Sequence, residues 1–335
     1  MNFDPNKKIL FSGIQPSGII TIGNYIGALS NFVKLQDDYN CIYSVVDLHA
    51  ITIRQEPAVL RKNSLELLAL YIACGINPDK SILFIQSHVP AHSELAWILN
   101  TMTYIGEVSR MTQYKDKSRK NVDNINMGLM DYPVLQAADI LLYNTCVVPI
   151  GADQKQHLEL SRDLAIRFNG RYSDTFTVPT PIINKSGAKI MSLADPSKKM
   201  SKSDENVNAF VALTDDRDTI LRKFKRAITD SESIIKFSKD KPGISNLLTI
   251  YSAFANVTVK KAEAEFENAN YADFKTAVGE IVADKLLPIQ KKHRELLNDK
   301  NYLNEVIKNS AKDANYLANK TLSKVKRKIG FYQTD

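Results

Sequence analysis

The amino-acid sequence predicts an α/β fold in which a doubly wound parallel sheet is followed by an all-helical C-terminal domain. Across the first 170 residues, short apolar runs alternate with segments whose apolar residues recur at helical spacing, which indicates strand–helix–strand units. The apolar runs are nearly continuous rather than alternating, as in strands that are covered on both faces of a sheet. From about residue 215 onward the periodicity is helical throughout, without a convincing strand.

Each predicted element has its own signal. Apolar runs predict strands over residues 9–14, 41–46, 81–85 and 147–150, and helical spacing predicts helices over residues 24–35, 60–73 and 153–168. Pro57 suits the first turn of the second helix and Gly75 its exit, while Gly170 lies beyond the predicted end of the third. Such sheets have right-handed crossovers and bind ligands at the carboxyl ends of their strands.

A polar segment separates the two predicted domains. Residues 184–208 are rich in Ser, Lys, Gly and Asp and have weak periodicity, which predicts a loop or linker. In the helical part that follows, Pro242-Gly243 interrupts the pattern once, and Pro288 predicts a kink or a new helix start. The sequence therefore predicts an α/β domain, a polar hinge and a helical domain.

The composition excludes several classes of protein. The 335 residues are 44% apolar and 24% charged, which is typical of a folded globular protein and excludes a disordered or fibrous chain. No apolar run approaches the ~18 residues that span a bilayer, and the N-terminus lacks a signal-peptide pattern, so we expect a cytoplasmic protein without a membrane partner. Pro90 separates His88 from His92, and the three cysteines form no Cys-x-x-Cys pair, so no protein metal site is predicted.

The net charge of +7 is unevenly distributed along the chain. Residues 1–170 contain 15 Lys and Arg against 16 Asp and Glu, whereas residues 171–335 contain 29 against 21. Arg222, Lys223, Lys225 and Arg226 cluster within about one helical turn. A basic half of this kind suits a polyanionic partner such as RNA, and a solvated lysine-rich surface is the alternative that charge alone leaves open.

Two segments carry signals of nucleotide chemistry. After the first predicted strand come residues 12–18, Ser-Gly-Ile-Gln-Pro-Ser-Gly, and then residues 21–24, Thr-Ile-Gly-Asn, which open a helix. Glycines there allow a nucleotide to approach the backbone, and a helix N-terminus favours anionic groups. Residues 198–203, Lys-Lys-Met-Ser-Lys-Ser, could bind phosphates from a flexible loop, or they form a solvated lysine loop or a phosphorylation site.

Taken together, in this order and nearly 180 residues apart, the two segments resemble the hallmark motifs of class I aminoacyl-tRNA synthetases. Residues 21–24 stand for the His-Ile-Gly-His motif, with Thr21 and Asn24 in place of its histidines, and residues 199–203 match the Lys-Met-Ser-Lys-Ser motif in full. Asn24 keeps a donor amide, whereas Thr21 offers only a short hydroxyl. Residues 12–18, 106–117 and 132–157 resemble the bacterial tryptophanyl-tRNA synthetases, and the resemblance covers nearly the whole chain.

This resemblance implies a domain organisation and an activity. Residues 1–193 would form a Rossmann-like catalytic domain that binds ATP and tryptophan, residues 194–208 a mobile KMSKS loop, and residues 209–335 a helical domain that binds the tRNA anticodon. Whether the last helix packs back on the catalytic domain is left open. The implied activity is the ATP-dependent attachment of L-tryptophan to tRNA(Trp) through tryptophanyl-adenylate, with release of AMP and pyrophosphate. The implied cofactor is Mg²⁺ bound to ATP, and the implied assembly is a homodimer.

The resemblance also implies the residues that bind ATP. These are Gln15, Pro16, Ser17, Gly23, Asn24, Gly151, Ala152, Asp153, Ile190, Lys199, Met200, Ser201, Lys202 and Ser203. Among them Gln15, Lys199, Ser201 and Lys202 are expected to be catalytic, together with Lys117 from a separate segment.

The implied tryptophan pocket centres on Asp139. Its carboxylate is surrounded by apolar residues in the sequence and would accept a hydrogen bond from the indole N–H, although an ordinary helix N-cap is an equal alternative. The other implied pocket residues are Phe11, His49, Tyr132, Gln136, Val148, Ile150 and Gln154. For His49, a satisfied core histidine is the alternative.

Two rival functions stay open at this point. Tyrosyl-tRNA synthetases share the fold and the two-step reaction, and they too can place an aspartate on a ring-borne donor. A non-catalytic RNA-binding relative of the same fold is the second rival, and it would bind RNA without releasing pyrophosphate.

Overall fold

The computed structural model of the chain describes residues 3–120, 125–151, 154–183 and 189–332, without the side chains of residues 116, 117, 120 and 183. The chain forms two compact units. The first contains residues 1–17, 35–184 and 299–335, and the second contains residues 18–34 and 185–298. The second unit thus includes the residues just after the first strand, and the first unit includes the C-terminal helix.

The described elements follow one another in this order: β1 (Ile9–Ile14), α1 (Ile22–Asn24), a π-helical turn (Tyr25–Leu29), α2 (Ser30–Leu35), β2 (Asn40–Val45), α3 (Asp47–Ala50), α4 (Pro57–Ala73), β3 (Ser81–Ile85), a 3₁₀ turn (Gln86–His88), α5 (Ala91–Asn100), α6 (Ile105–Ser109), α7 (Thr112–Lys120), α8 (Met127–Leu141), β4 (Val147–Ile150), α9 (Lys155–Arg171), β5 (Thr180–Ile183), α10 (Arg217–Lys225), α11 (Pro242–Ala255), α12 (Val259–Glu265), α13 (Tyr271–Asn298) and α14 (Lys300–Ile329).

The sheet of the first unit has the order β3-β2-β1-β4-β5, and all of its strand pairs are parallel. The predicted doubly wound α/β fold is therefore confirmed. β2 and β3 are buried at every position, which explains their continuous apolar sequences. The sequence interpretation missed β5, because a four-residue strand with a proline at its second position lacks a strand signal.

The helix ends agree with the sequence prediction in part. Pro57 occupies the first turn of α4, and Gly75 follows that helix with a φ of 109°. Gly170 lies inside α9 rather than beyond it, because Phe168, two positions before it, is buried and one glycine in a helix costs only about 1 kcal/mol. α13 continues through Pro288, so the predicted new helix start at that proline is wrong, whereas Pro242 begins α11 as the interruption predicted.

The core of the first unit joins the sheet to α5, α8, α9 and α14. Ala314, Ala318, Leu322 and Val325 of α14 are buried in this core, at helical spacing. Asn315 of the same helix donates a hydrogen bond of 2.8 Å to the carbonyl of His88. The C-terminal helix is thus a structural part of the first unit. Among the described helices, none is long and apolar enough to cross a membrane.

In the second unit, α13 packs against α10 and α11. A short antiparallel bridge joins Thr21 to Ala212. Ile22 N donates to Val211 O, and Leu213 N donates to Ile20 O, each at 2.9 Å. These bonds, between residues about 190 positions apart, hold the segment after the first strand in the second unit.

Candidate active site

The first unit contains a cavity of about 340 Å³ at the carboxyl ends of its strands. Phe11 of β1, Gln15 just after β1, and Val148 and Ile150 of β4 form one side of it. β1 and β4 are neighbours at the position where the strand order reverses. Doubly wound sheets bind ligands at that position, and the volume is typical of a small-molecule site.

Asp139 of α8 places a buried carboxylate in the cavity wall, since the residue is only 1% exposed. Its Oδ1 lies 2.6 Å from His92 Nδ1 and accepts a bond of 2.6 Å from Gln86 Nε2, while its Oδ2 lies 2.7 Å from His49 Nε2. Burial alone would raise the pKa of Asp139, but attraction and hydrogen bonds from His49 and His92 outweigh it and hold that pKa well below its ordinary range. Asp139 is therefore an ionised carboxylate inside the protein.

The three side chains that bond to Asp139 lie beyond the carboxyl ends of β2 and β3. His49 lies on α3, which follows β2, whereas Gln86 follows β3 directly and His92 lies in the first turn of α5. Asp139 itself lies near the C-terminal end of α8, whose N-cap is Asn126. The N-cap alternative for Asp139 is therefore wrong. His49 both lines the cavity and bonds to a buried partner.

Another part of the cavity wall is polar but uncharged. Gln136 Nε2 donates to Gln154 Oε1 at 3.3 Å, and His157 Nδ1 lies 3.1 Å from the same oxygen. The Tyr132 hydroxyl lies 3.2 Å from His157 Nε2, and burial raises the pKa of Tyr132, which keeps its proton. Because Tyr132, Gln136 and Gln154 line the cavity, they offer hydrogen bonds to a polar group of a ligand whose apolar part contacts Phe11 and Val148.

In the second unit, residues 21–24 form a capped helix start. Thr21 Oγ1 accepts from Asn24 N at 3.4 Å, and Asn24 Oδ1 accepts from Thr21 N at 3.0 Å, which is the reciprocal pattern of a capping box. The amide oxygen of Asn24 is used by this cap, so the amino group of this exposed side chain remains as its donor.

Gly23 lies beside two of the residues predicted to bind the nucleotide. A Cβ placed on Gly23 would lie 3.5 Å from Ile190 Cβ and 3.8 Å from Met200 Cβ, which are ordinary van der Waals distances. Ile190 and Met200 are themselves buried and are joined by a backbone bond of 3.0 Å from Met200 N to Ile190 O. The structure therefore brings the Thr-Ile-Gly-Asn segment and the lysine segment together within one unit.

The lysine segment, residues 198–203, follows a tight turn. The start of this turn is bonded to α11. Met191 pairs with Lys199 in an antiparallel bridge, and Ser192 N donates to Lys198 O at 2.9 Å. Asn246 of α11 holds both backbone groups of Met191, at 2.8 and 2.9 Å. Lys199, Ser201 and Ser203 are exposed, whereas Lys202 is half-buried, and burial lowers the pKa of Lys202.

Comparison with known proteins identifies the family. The model of the class I tRNA synthetases for tryptophan and tyrosine matches residues 5–287. The tryptophan–tRNA ligase of Clostridium tetani is 56% identical over 331 residues, which cover 99% of this chain and 98% of that protein. The chain belongs to the tryptophanyl-tRNA synthetases. It is thus a class I aminoacyl-tRNA synthetase of the tryptophan–tRNA ligase type.

Solved structures of tryptophanyl-tRNA synthetases have the same fold. The enzyme from Mycoplasma pneumoniae is 35% identical, with a TM-score of 0.90 and coverage of 97% of this chain and 98% of that one. The enzyme from Campylobacter jejuni, solved in complex with ADP and tryptophan, is 32% identical, with a TM-score of 0.83 and coverage of 97% and 100%. These similarities agree with the assignment of the chain to this family.

The structure places the sequence-predicted residues in two groups. The residues implied for tryptophan by resemblance to the tryptophanyl-tRNA synthetases all line the cavity described above, namely Phe11, His49, Tyr132, Gln136, Asp139, Val148, Ile150 and Gln154. Gln15, Pro16, Ser17 and Gly151 also lie in the first unit, and Gly23, Asn24, Ile190 and residues 199–203 lie in the second. Ala152 and Asp153 lie outside the described residues, and Lys117 lies on α7 with its side chain outside them.

Sequence reasoning missed two residues that bind the key carboxylate of this tryptophanyl-tRNA synthetase. Gln86 and His92 are fully buried and both bond to Asp139. In the sequence, the spacing of His92 from His88 suggests only a metal ligand, which Pro90 between them argues against. Their position could have indicated a role, because both follow the predicted strand over residues 81–85. Doubly wound sheets bind ligands beyond the carboxyl ends of their strands.

Proposed function

We propose that the chain attaches L-tryptophan to tRNA(Trp) in two steps. The tryptophan carboxylate attacks the α-phosphate of ATP, which forms tryptophanyl-adenylate and releases pyrophosphate. The terminal ribose hydroxyl of the tRNA then takes the aminoacyl group and AMP leaves. The observation that carries this proposal is the cavity at the sheet reversal, with an ionised Asp139 in a wall that also contains apolar side chains. An indole has one strong donor and no acceptor, so a buried carboxylate suits it.

The proposed roles in the tryptophan cavity follow from the apolar part and the uncharged polar part of its wall. Phe11, Val148 and Ile150 provide apolar contact for the indole ring. Tyr132 and Gln154 contact the α-amino group, because both carry hydrogen-bonding oxygens in the uncharged part of the wall. A site that accepts a hydrogen bond from a substrate N–H rejects rings without that donor by ~10⁴-fold or more.

ATP recognition is proposed for the Thr-Ile-Gly-Asn segment and the lysine segment. Gly23 leaves room beside Ile190 for the adenine or ribose, and Asn24 donates from its amide to a phosphate. Lys199 and Lys202 stabilise the negative charge of the β- and γ-phosphates, with Ser201 assisting. Because the reaction has no covalent enzyme intermediate, its catalysis comes from positioning and from this stabilisation of charge.

The remaining proposed ATP contacts come from three segments. Gln15, Pro16 and Ser17 follow β1, Gly151 with Ala152 and Asp153 follows β4, and Lys117 lies on α7. Mg²⁺ accompanies ATP as part of the substrate and is held mainly by phosphate oxygens. Among the described residues, no cluster of three or more His, Cys, Asp or Glu side chains could hold a metal ion.

The proposed partner of the helical residues 209–335 is the anticodon arm of the tRNA. Arg222, Lys225 and Arg226 are exposed and suit a phosphate backbone. Lys223 does not belong to this surface, because it is buried and its ammonium group donates to Asp215 Oδ2 at 2.7 Å. The predicted four-residue basic cluster is therefore reduced to three residues.

A homodimer in the cytoplasm is the proposed assembly. α5, α6 and α8 of the first unit pack together, and they expose Trp97, Tyr104, Ile105 and Met127 at 71%, 65%, 74% and 74%. Tyr104 is held in place by the Arg167 guanidinium, which lies 4.8 Å from the centre of its ring. Large exposed apolar side chains on helices that pack together are typical of an interface between protein copies.

Amino-acid-dependent exchange of labelled pyrophosphate into ATP tests the proposed function. We expect exchange with tryptophan and none above background with the other standard amino acids. Exchange with tyrosine instead would keep the class and overturn the Asp139 pocket, and a folded sample without any exchange would favour an RNA-binding relative. Asp139→Asn keeps the shape of the side chain, so we expect it to lower kcat/KM for tryptophan by ~10²-fold while the KM for ATP stays within about threefold.

A further inference from the structure

The Asp139 carboxylate is nearly saturated with donors from the protein. A carboxylate offers about four acceptor positions, two on each oxygen. Oδ1 accepts from Gln86 and lies 2.6 Å from His92 Nδ1, and Oδ2 lies 2.7 Å from His49 Nε2. One acceptor position therefore remains, and it belongs to Oδ2.

The donors to Oδ1 approach from behind the cavity wall. Asp139 and His49 belong to the described lining of the cavity, whereas Gln86 and His92 do not, and both are fully buried. The Gln86 amide is held in its orientation, because its Oε1 accepts from Leu48 N at 3.1 Å. Oδ1 is thus occupied from inside the protein and Oδ2 is the oxygen presented to a ligand.

The ring of His92 is oriented by a second contact. Its Nε2 lies 2.8 Å from the Tyr143 hydroxyl. Burial, together with the charge of Asp139, raises the pKa of Tyr143, so the hydroxyl keeps its proton beside Nε2. Because an ionised carboxylate only accepts hydrogen bonds, His92 Nδ1 is the donor in its bond to Asp139 Oδ1. The centres of the stacked Tyr143 and Phe11 rings are 5.7 Å apart. Tyr143 therefore contacts both His92 and a residue of the cavity wall.

We propose that Gln86 and His92 are positioning residues that determine substrate specificity. They occupy Oδ1 of Asp139, fix the plane of its carboxylate, and leave the last acceptor position on Oδ2 for the ring N–H of the amino acid. The inference rests on the proposed binding of tryptophan by Asp139. Without His92 the carboxylate has a second unfilled acceptor and a second orientation, so the bond to the ring N–H loses its geometric selectivity.

The test compares tryptophan with β-(3-benzothienyl)alanine, in which sulfur replaces the ring N–H. The quantity measured is the ratio of the two kcat/KM values in pyrophosphate exchange. We expect the wild-type ratio to be ~10⁴ or more. His92→Leu should lower it at least ~10-fold, because kcat/KM falls for tryptophan and stays within about threefold for the analogue. His92→Asn, whose amide nitrogen replaces Nδ1, should restore the wild-type ratio within about threefold.

Gln36→Leu is the matched control. Gln36 is a buried glutamine at the opposite end of β3, where its Oε1 accepts from Asn77 N at 2.7 Å and from Ser81 Oγ at 3.1 Å. We expect this variant to lower the melting temperature while the ratio stays unchanged. Equal losses for both amino acids in His92→Leu, as a structural role predicts, would overturn the proposal.

Tyr143→Phe gives a second test if His92→Leu does not fold. It removes one hydroxyl and leaves the ring stacked on Phe11. We expect the ratio to fall several-fold at an unchanged KM for ATP, and an unchanged ratio would overturn the proposal. Failure of the underlying function looks different, because the wild-type protein itself would then fail to use tryptophan or would use both amino acids equally well.

Discussion

At Gly23, we expect a substitution to change nucleotide binding without changing the stability of the protein. An added Cβ would have no neighbour closer than 3.4 Å within the protein, so Gly23→Ala should fold normally. The same methyl group would occupy the surface beside Ile190 that we assign to ATP. We expect the KM for ATP to rise ~10-fold or more, while the KM for tryptophan and the melting temperature stay close to wild type.

Steady-state pyrophosphate exchange, with each substrate varied in turn, measures this effect. Gly27→Ala is the matched control, since Gly27 lies in the following π-helical turn and an added Cβ there has nothing within 4 Å. A Gly23→Ala protein with wild-type KM for ATP would show that ATP does not approach this backbone.

Single residues of the site were predictable to different degrees. Asp139 stood out in the sequence because a charge among apolar residues needs a partner, and the structure places it in the cavity wall. Gln86 and His92 were not predictable as its partners, since they lie 53 and 47 residues away and no spacing rule connects residues that meet only when three strands are adjacent. Sequence periodicity identifies a strand but not the contacts made by the residues beyond its end.

At the scale of elements, two glycines in helices differ in their surroundings. A Cβ on Gly243, in the first turn of α11, would lie 2.2 Å from the carbonyl oxygen of Ile228. A Cβ on Gly170, in the last turn of α9, would have no neighbour within 4 Å. We expect Gly243→Ala to lower the free energy of unfolding by ~3 kcal/mol, and Gly170→Ala to raise it by roughly 0.5–1 kcal/mol.

Urea denaturation of the two variants beside wild type measures both changes. Gly170→Ala is the control for replacing a helical glycine, so equal effects of the two substitutions would contradict the close contact at Gly243. Since Ile228 N also donates to Leu193 O at 2.8 Å, a shift of α11 would reach the residues just before the lysine segment.

The connection between α10 and α11 is held by a charge cluster that depends on pH. Asp230 Oδ1 accepts from Tyr271 at 2.6 Å and from Lys241 at 3.0 Å. Burial would raise the pKa of Asp230, but the hydrogen bonds from Tyr271, Glu232 N and Lys241 outweigh it and lower that pKa to about 2. Because the folded pKa lies below the unfolded value, the carboxylate stabilises the fold above about pH 4 and loses this effect as the pH falls towards 2.

Asp230→Asn should remove this pH-dependent contribution. We expect a loss of about 1–2 kcal/mol in the free energy of unfolding above pH 5, shrinking towards zero near pH 2. The difference between wild-type and variant urea midpoints, measured as a function of pH, checks this expectation. Asp240→Asn, on the same connection and exposed, is the control, and a constant difference for Asp230→Asn across the pH range would contradict the role of the charge.

Elements were predictable where a local pattern determines them. β1, β3 and β4 begin and end where the apolar runs predicted, because each run supplies the buried residues of its strand. β5 was not predictable, since its residues become a strand only by pairing with β4 at the edge of the sheet. The helix containing Pro288 continues because buried residues such as Leu286 and His293 hold it on either side of the proline.

At the scale of the whole molecule, neither compact unit is continuous in sequence. Residues 18–34 leave the first unit and residues 299–335 return to it. The sequence could not show this, because a linear reading places a boundary where composition changes, whereas the units are defined by pairings such as Thr21 with Ala212. The Thr-Ile-Gly-Asn segment and the lysine segment could therefore be recognised from their local sequences. The unit to which both belong could not, because it is assembled from distant parts of the chain.

The homodimer is the expectation that applies to the whole molecule. In a two-fold interface each substitution is present twice, so one charge in the apolar surface of α5, α6 and α8 acts on both copies. Trp97 is 71% exposed, and a tryptophan of this kind is typical of the residues that dominate binding energy. We expect Trp97→Glu to raise the dimer dissociation constant by ~10²-fold or more.

Sedimentation equilibrium over a range of protein concentrations measures this constant directly. Leu287→Glu is the control, since Leu287 is an exposed apolar residue of α13 outside the proposed surface and should leave the dimer intact. A Trp97→Glu protein that stays dimeric at concentrations where the wild type is dimeric would place the interface elsewhere, and a monomeric wild type would overturn the dimer itself. Should Trp97→Glu give monomers, pyrophosphate exchange by those monomers would show whether the cavity at the sheet reversal activates tryptophan without a second copy of the chain.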